Sequence, residues 1–436
     1  MFDAFRNLWK ISDIRKRILI TIGMLAIFRF GSHIPVPGVN TSVLAVYFAQ
    51  MRGSVLGLFD MFVGGNLGRA TIFALGIMPY ISSSIIFQIL GATIPYYQRL
   101  TKEGEEGRRK MTQHTRYLTV FIAALQASSF SIWLSNLSVG GAPVLPYSGF
   151  FVKFSIITTM TAGTIFLMWL GELITEHGIG NGISLLIMFG ILARFPQDML
   201  QLWRMLSSGA LSWTFSFIFF VFAVLVVAAV VLITQGQRRI PIQYAKRVVG
   251  RKVYGGQATH LPLNVNSAGV IPIIFAQSAL MLLPSFANFF KGKIWADWIV
   301  NLLSPNGLLY NILFVLLIVM FAYVYTAIVI NPQELAGNLK KYGGFIPGIR
   351  PGGQTANYID KVISRITLPG ALFFAFIAVL PVILRNRFNL PFYFGGTSII
   401  IVVGVALDTV RQLESQLLMR HYEGFMRKGR IRGRRR

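Results

Sequence analysis

The chain has 436 residues, of which 54% are hydrophobic and 13% charged, yet it carries a formal net charge of +26. A soluble protein carries about a quarter charged residues, so the composition excludes an ordinary soluble domain and points to a polytopic membrane protein whose bases sit outside the bilayer. There is no cysteine, which excludes disulfides, thiolate metal sites and cysteine nucleophiles.

The N-terminal stretch MFDAFRNLWKISDIRKR is amphipathic and basic and lacks the small-residue cleavage site of a signal peptide. It reads as a cytoplasmic helix at the membrane surface. Ten apolar runs then meet the requirement of about 20 residues per spanning helix: 18–36, 70–94, 117–137, 150–175, 183–203, 213–234, 268–290, 308–330, 367–386 and 393–412. Pro79, Pro272 and Pro381 fall inside these runs, which membrane helices tolerate when neighbours satisfy the freed carbonyls.

With the N-terminus inside, the inside segments are 1–17, 99–116, 176–182, 235–263, 331–366 and the tail from 411. They hold 31 of the 41 lysines and arginines, and the outside loops hold 8, with Arg194 counted among them. The positive-inside rule therefore places both termini in the cytoplasm. Five helices precede the loop at 204–212 and five follow it, so the second half enters the membrane in the opposite orientation, the arithmetic of an inverted repeat. The organisation expected is an N-terminal half over 1–203, a hinge loop at 204–212, a C-terminal half over 213–412 and a basic tail over 413–436.

Three loops are too elaborate for plain connections. Residues 37–69 are glycine-rich. Residues 235–263 hold six bases and no acid, and the β-prone runs Ile240–Tyr244 and Val248–Tyr254 read as a hairpin standing into the cytosol. Residues 331–366 contain GGFIPGIRPGGQTANYID. Long structured loops are more often functional than incidental. The tail RKGRIRGRRR suits either anionic lipid or ribosomal RNA.

No catalytic constellation is visible. His33, His114, His177, His260 and His421 are scattered without metal-ligand spacing, and HExxH, GxSxG and GxxxxGK[ST] are absent. The reading is of a protein that is not an enzyme and needs no cofactor or metal. Glu172, Glu176 and Asp408 lie near inner helix ends, whereas an ion-coupled pump needs ionisable groups near the midplane; these carboxylates read as interfacial partners of cytoplasmic bases. Ile77, Ile81 and Ile85 share a helix face by spacing, as do Ile183 and Ile187, but isoleucine on a membrane helix is usually lipid-facing or packed.

Longer motifs change that reading. They are HIPVPG at 33–38, GGNLGRATIFALGIMPYISSSII at 64–86, KEGEEGRRKMTQHTRY at 102–117 and GIGNGIS at 178–184. They continue with RRIPIQYAKR at 238–247, LPLNVNSAGVIPIIFA at 261–276, FIPGIRPGGQTANYID at 345–360 and FYFGGTSIIIVV at 392–403. In order and over essentially the whole chain they resemble the SecY/Sec61-alpha family of protein-conducting channels, and the bacterial form more than the archaeal or eukaryotic one.

The resemblance implies an all-α membrane protein of ten transmembrane helices, in two inverted five-helix halves forming a clamshell around an hourglass pore. It implies a channel that passes unfolded polypeptides and releases hydrophobic segments laterally into lipid. It assigns a pore ring to Ile77, Ile81, Ile183, Ile187, Ile274 and Ile401, and a plug at about 55–69 that includes Phe59, Phe62, Gly64, Gly65, Leu67 and Arg69. Ser82 and Asn266 would hydrogen-bond across a lateral gate. Arg238, Arg239, Lys246, Arg247, Arg251, Lys252 and Arg350 would dock a motor ATPase or the ribosome. The implied partners are the small membrane subunits SecE and SecG, the motor SecA, the ribosome with its RNA, signal peptides, nascent chains and membrane lipids. The implied location is the inner (plasma) membrane. Two other readings are a secondary transporter, which needs a polar midplane site, and a scaffold subunit without conduction of its own.

Overall fold

Apolar runs dominate this chain, and in hydrocarbon a helix satisfies every backbone N–H and C=O within one segment. The computed structural model is accordingly mostly helical, at 76%. It describes residues 11–50, 55–147, 149–209, 211–244, 247–249, 252–254, 258–266, 268–287, 293–304, 307–388 and 396–428.

The N-terminal helices are α1 (Ser12–Gly31), α2 (Thr41–Gln50), α3 (Val55–Phe62), α4 (Met78–Thr93), α5 (Pro95–Lys102) and α6 (Glu105–Ser135). A two-residue pairing of β1 (Ser138–Val139) with β2 (Ala142–Pro143) leads to α7 (Phe150–His177), α8 (Gly182–Ser207) and α9 (Trp213–Gln235). Four strands follow: β3 (Gln237–Tyr244), β4 (Arg247–Val249), β5 (Lys252–Tyr254) and β6 (Ala258–Asn264). Then come α10 (Ile271–Ala287), α11 (Ile294–Leu302), α12 (Leu308–Val329), α13 (Pro332–Lys341), β7 (Gly344–Phe345), α14 (Gly353–Phe388) and α15 (Gly396–Lys428).

Seven helices among the described residues are long and apolar enough to cross a membrane, namely α6 to α9, α12, α14 and α15. The chain is thus a multi-pass membrane protein. The other three expected spans fall on α1, which carries Asp13, Arg15, Lys16, Arg17 and Arg29, and on α4 and α10, of 16 and 17 residues.

Contacts divide the chain into two compact units, one of Met1–Gln201, Leu283–Val300 and Val405–Arg436, the other of Leu202–Leu282 and Asn301–Gly404. Within the first, α6 packs along α7 and α4, and α1 lies on α7. Within the second, α12 and α13 pack on α14, and β3 is the centre of a three-stranded antiparallel sheet in the order β6-β3-β7.

The structure corrects several expected boundaries. The second span does not run from 70. Residues 63–77 are turns, with Ala70 at φ 42° and Gly76 at φ 58°, and α4 starts at Met78 with Pro79 in its first turn. Pro79 thus opens its helix, where its missing N–H is an orphan anyway, and does not interrupt it. The third span extends back to Glu105, because Glu105 and Glu106 favour a helix N-terminus. The two β-prone runs of residues 235–263 do not pair with each other. β3 pairs with β6, Ile240 opposite Leu261, while β4 and β5 form a separate small hairpin. Of the expected surface helix, residues 1–10 lie outside the described residues and Ser12–Arg17 open α1. The tail continues α15 to Lys428, with 429–436 outside the described residues.

Candidate functional site

In the first unit, four of the expected ring residues are carried by α4 and α8. Ile77 caps α4 and its carbonyl accepts from the Ile81 N–H at 3.1 Å. Ile77, Ile81 and Ile187 are buried and Ile183 is half-buried. In the second unit, Ile274 on α10 and Ile401 on α15 are buried, Ile401 completely.

The segment after α3 is folded onto its own unit. The Val36 N–H donates to the Ala70 carbonyl at 2.8 Å and the Ile72 N–H to the Ile34 carbonyl at 3.0 Å, which ties the HIPVPG motif to the turns that precede α4. Phe73 is buried in an aromatic stack, its ring 5.9 Å from Phe28 on α1 and 6.0 Å from Phe166 on α7. A Cβ at Gly163 of α7 would collide with the Ile72 carbonyl, so only glycine lets the two backbones meet. Phe59, Phe62 and Leu67 are buried; Arg69 is half-buried.

Asp60 is the residue that sequence reasoning missed. It sits on α3 with its side chain 9% exposed, and its Oδ2 accepts from Arg194 Nη1 of α8 at 3.0 Å. Its Oδ1 accepts from the Gly68 N–H at 2.8 Å, and its carbonyl from the Gly65 N–H at 2.7 Å. Arg194 is therefore not an outside-loop base but part of a helix interior, with its side chain 19% exposed. The signal was available: a single acid within VLGLFDMF and a single base within ISLLIMFGILARF are each too costly to bury unless paired.

In the second unit the loops at 235–263 and 331–366 are joined. β7 adds to β3, with Gln243 opposite Phe345 and Tyr244 opposite Gly344. Ile240, Leu263, Ile346, Ile359 and Ile363 form a buried cluster beneath. Alternation along β3 buries Ile240 and Ile242 and exposes Arg239; Arg238, on the isoleucine face but at the start of the strand, is exposed as well. Arg350 is exposed too, and its carbonyl accepts from Thr355 Oγ1 at 2.9 Å near the start of α14. Lys246 and Arg251 lie outside the described residues; the backbones of Arg247 and Lys252 belong to β4 and β5.

Ser82 is buried on α4. Asn266 lies in the turn between β6 and α10 and lines a cavity of about 20 Å³ with Pro272, Ile273, Thr326 and Thr367. Its Nδ2, like Thr326 Oγ1, has no hydrogen-bond partner among the described residues. Glu172 accepts from Arg116 at 3.0 and 2.7 Å, so it pairs with a base as expected of it. No cluster of three or more metal-ligating side chains occurs among the described residues.

A model of the SecY family matches residues 71–410. The chain is 45% identical to the protein translocase subunit SecY of Aquifex aeolicus over 98% of this chain and 100% of that one. It is 45% identical to that of Escherichia coli K12 over 97% and 96%, and 46% to that of Streptomyces coelicolor over 98% and 100%. Among solved structures, a protein-conducting channel shares the fold at a TM-score of 0.64 and 18% identity, covering 94% of this chain and 96% of that one. Sec61 from a canine ribosome–channel complex does so at 0.60 and 17%, with the same coverage. Matched along almost its whole length, the chain belongs to the SecY family.

Proposed function

We propose that this chain is the channel-forming subunit of a protein translocase, passing unfolded polypeptides across the membrane and releasing hydrophobic segments sideways into lipid. The observation that carries this is the 45% identity, over nearly the full length of both chains, to proteins named translocase subunits. The six isoleucines at 77, 81, 183, 187, 274 and 401 line the constriction. The substrate is a chain of any sequence, so specific polar contacts would stall it. A narrow apolar collar makes weak, uniform contact with a peptide and excludes ions by dewetting when closed. The segment 55–69 plugs that path, and a seam near Ser82 and Asn266 is the lateral exit.

The exposed bases of the joined loops, Arg238, Arg239 and Arg350, dock a cytosolic motor such as SecA or the ribosome. SecE and SecG are the small membrane partners, and the protein resides in the inner membrane with both termini cytoplasmic. The charge asymmetry of the loops supports that orientation.

Reconstitution of the purified chain with its small membrane subunits and a motor ATPase tests this reading. ATP-dependent passage of an unfolded polypeptide with a signal sequence is expected. Uptake of a small solute driven by an ion gradient, or no polypeptide passage in proteoliposomes shown to contain the complex, would overturn it.

A further inference from the structure

Four residues of α8, Ile183, Ile187, Gly190 and Arg194, recur at spacings of four, three and four and so lie on one helical stripe. The lower part of that stripe carries two ring candidates, and the upper part receives the plug segment. Gly64 lies at φ 78°, and a Cβ there would stand 2.9 Å from the Gly190 carbonyl, so the turn after α3 rests backbone to backbone on α8. One turn further along, Arg194 grips Asp60 at 3.0 Å.

The two ends of the segment are held differently. Its base, at 70–73, is bonded to the backbone of residues 34–36 and wedged between the aromatic rings of α1 and α7. Its tip, α3 and the turn at 63–65, meets α8 at the Gly64–Gly190 backbone contact and at the Asp60–Arg194 ion pair, with Phe59, Phe62 and Val63 buried beside them. The Gly68 N–H and Arg194 together fill both oxygens of Asp60. If Asp60 leaves Arg194, a mostly buried guanidinium loses the carboxylate it pairs with, which favours the seated state strongly.

We propose that the Asp60–Arg194 ion pair is a latch that seats the plug segment on the ring-bearing face of α8, and that Arg194 is a positioning residue that sets how strong a signal sequence must be to open the channel. This rests on the proposed channel function. The base stays anchored while the tip lifts, and the ion pair is the buried charge contact that lifting must break. A weak signal sequence cannot supply that free energy; a strong one can.

The test uses the full complex in planar bilayers and in proteoliposomes, with the parental chain, Asp60→Asn, Arg194→Leu, Arg194→Lys and the double variant Asp60→Asn with Arg194→Leu. Resting ion conductance and ATP-driven passage of a substrate with a defective signal sequence are measured beside passage of one with an intact signal sequence. Each single neutral variant is expected to raise conductance and defective-signal passage by about tenfold, the weight of one charge-assisted hydrogen bond. The double variant should leak no more than the worse single variant, since it leaves neither charge buried without its partner. Arg194→Lys should return near the parental level, because the charge is kept.

Asp60→Asn keeps an oxygen for the Gly68 N–H and carries the test by itself if Arg194→Leu cannot be recovered folded. Neutral variants that remain sealed and stringent, effects that add in the double variant, or a lysine variant as leaky as leucine would each overturn the latch. A parental complex that passes no polypeptide at all would instead overturn the channel reading, so the two failures are distinguishable.

Discussion

The segment at 55–76, which includes the proposed plug at 55–69, and the joined loops at 237–264 and 344–345 both interrupt a helical membrane protein, and opposite means hold them. The loops are held by a backbone ladder over an apolar cluster of Ile240, Leu263, Ile346, Ile359 and Ile363. Arg238 and Arg239 on this sheet are exposed, where charge is solvated. The segment at 55–76 has a single β-bridge, Pro35 opposite Thr71, in place of a ladder; that bridge, turns, an aromatic stack and one largely desolvated ion pair hold it. Charge thus does different work in the two places. On the sheet Arg238 and Arg239 are solvated and form part of the proposed docking surface, whereas Asp60 and Arg194 are largely buried and hold each other. A platform that transmits force must not yield, and a ladder with a core meets that need. The proposed plug must yield on demand, and a tip joined to α8 by a polar pair and a glycine contact suits that need.

The largest expected effect lies on the outward charges. Arg350→Glu should cut motor-driven translocation by about a hundredfold or more, since a like charge set against an acidic docking site costs several kcal/mol. Membrane abundance should stay near parental, because the side chain is exposed. Translocation assays beside quantitative immunoblots check it, and a parental rate would remove Arg350 from the docking surface.

Next is the ring. Glycine at 77, 81, 187 and 401 together, in a chain with the plug segment deleted, should turn sealed bilayers into ion-conducting ones, because a wider collar wets. Single-channel recording decides, and tight bilayers with inserted protein would show that these isoleucines line no constriction.

The third sharpens the comparison on the platform side. Ile359 is fully buried in the loop cluster, so Ile359→Ala should cost about 2–5 kcal/mol locally. It should appear as faster protease cleavage within 235–263 and 331–352, with the resting seal intact. A leaking seal with an unchanged cleavage rate would break the separation of platform from plug.

On the plug side, Gly163→Ala drives a methyl into the Ile72 carbonyl. It should cost about 1–3 kcal/mol, read as a lower melting temperature in detergent. The smallest effect is expected at Arg116, whose side chain is 48% exposed in its pair with Glu172. Arg116→Ala should change stability by under about 1 kcal/mol, far less than Arg194→Leu in the same melt. Equal losses at the two arginines would mean that burial does not distinguish the pairs.

Much of the fold was legible in the sequence because hydrophobic length is a local property. The runs at 150–175, 213–234 and 308–330 became Phe150–His177, Trp213–Gln235 and Leu308–Val329 with ends shifted by at most two residues. The run from 70 misled because residues 70–77 are as apolar as a helix, yet turn to pack Phe73 between two helices. Apolarity reports burial and not backbone shape. The pairing of β3 with β6 and β7 was also hidden, since β propensity names strands but not their partners.

Composition, loop charge and motif order by themselves established a multi-pass membrane protein of the SecY family with its bases gathered in a few loops. These are one-dimensional properties, each decided by a segment's own solvation. Only the tertiary structure decided that residues 344–345 complete the sheet begun at 237, and that Asp60 is seated by Arg194 across 134 positions. Those facts depend on which segments come within hydrogen-bonding reach, and a lone acid in an apolar helix does not name the base that neutralises it.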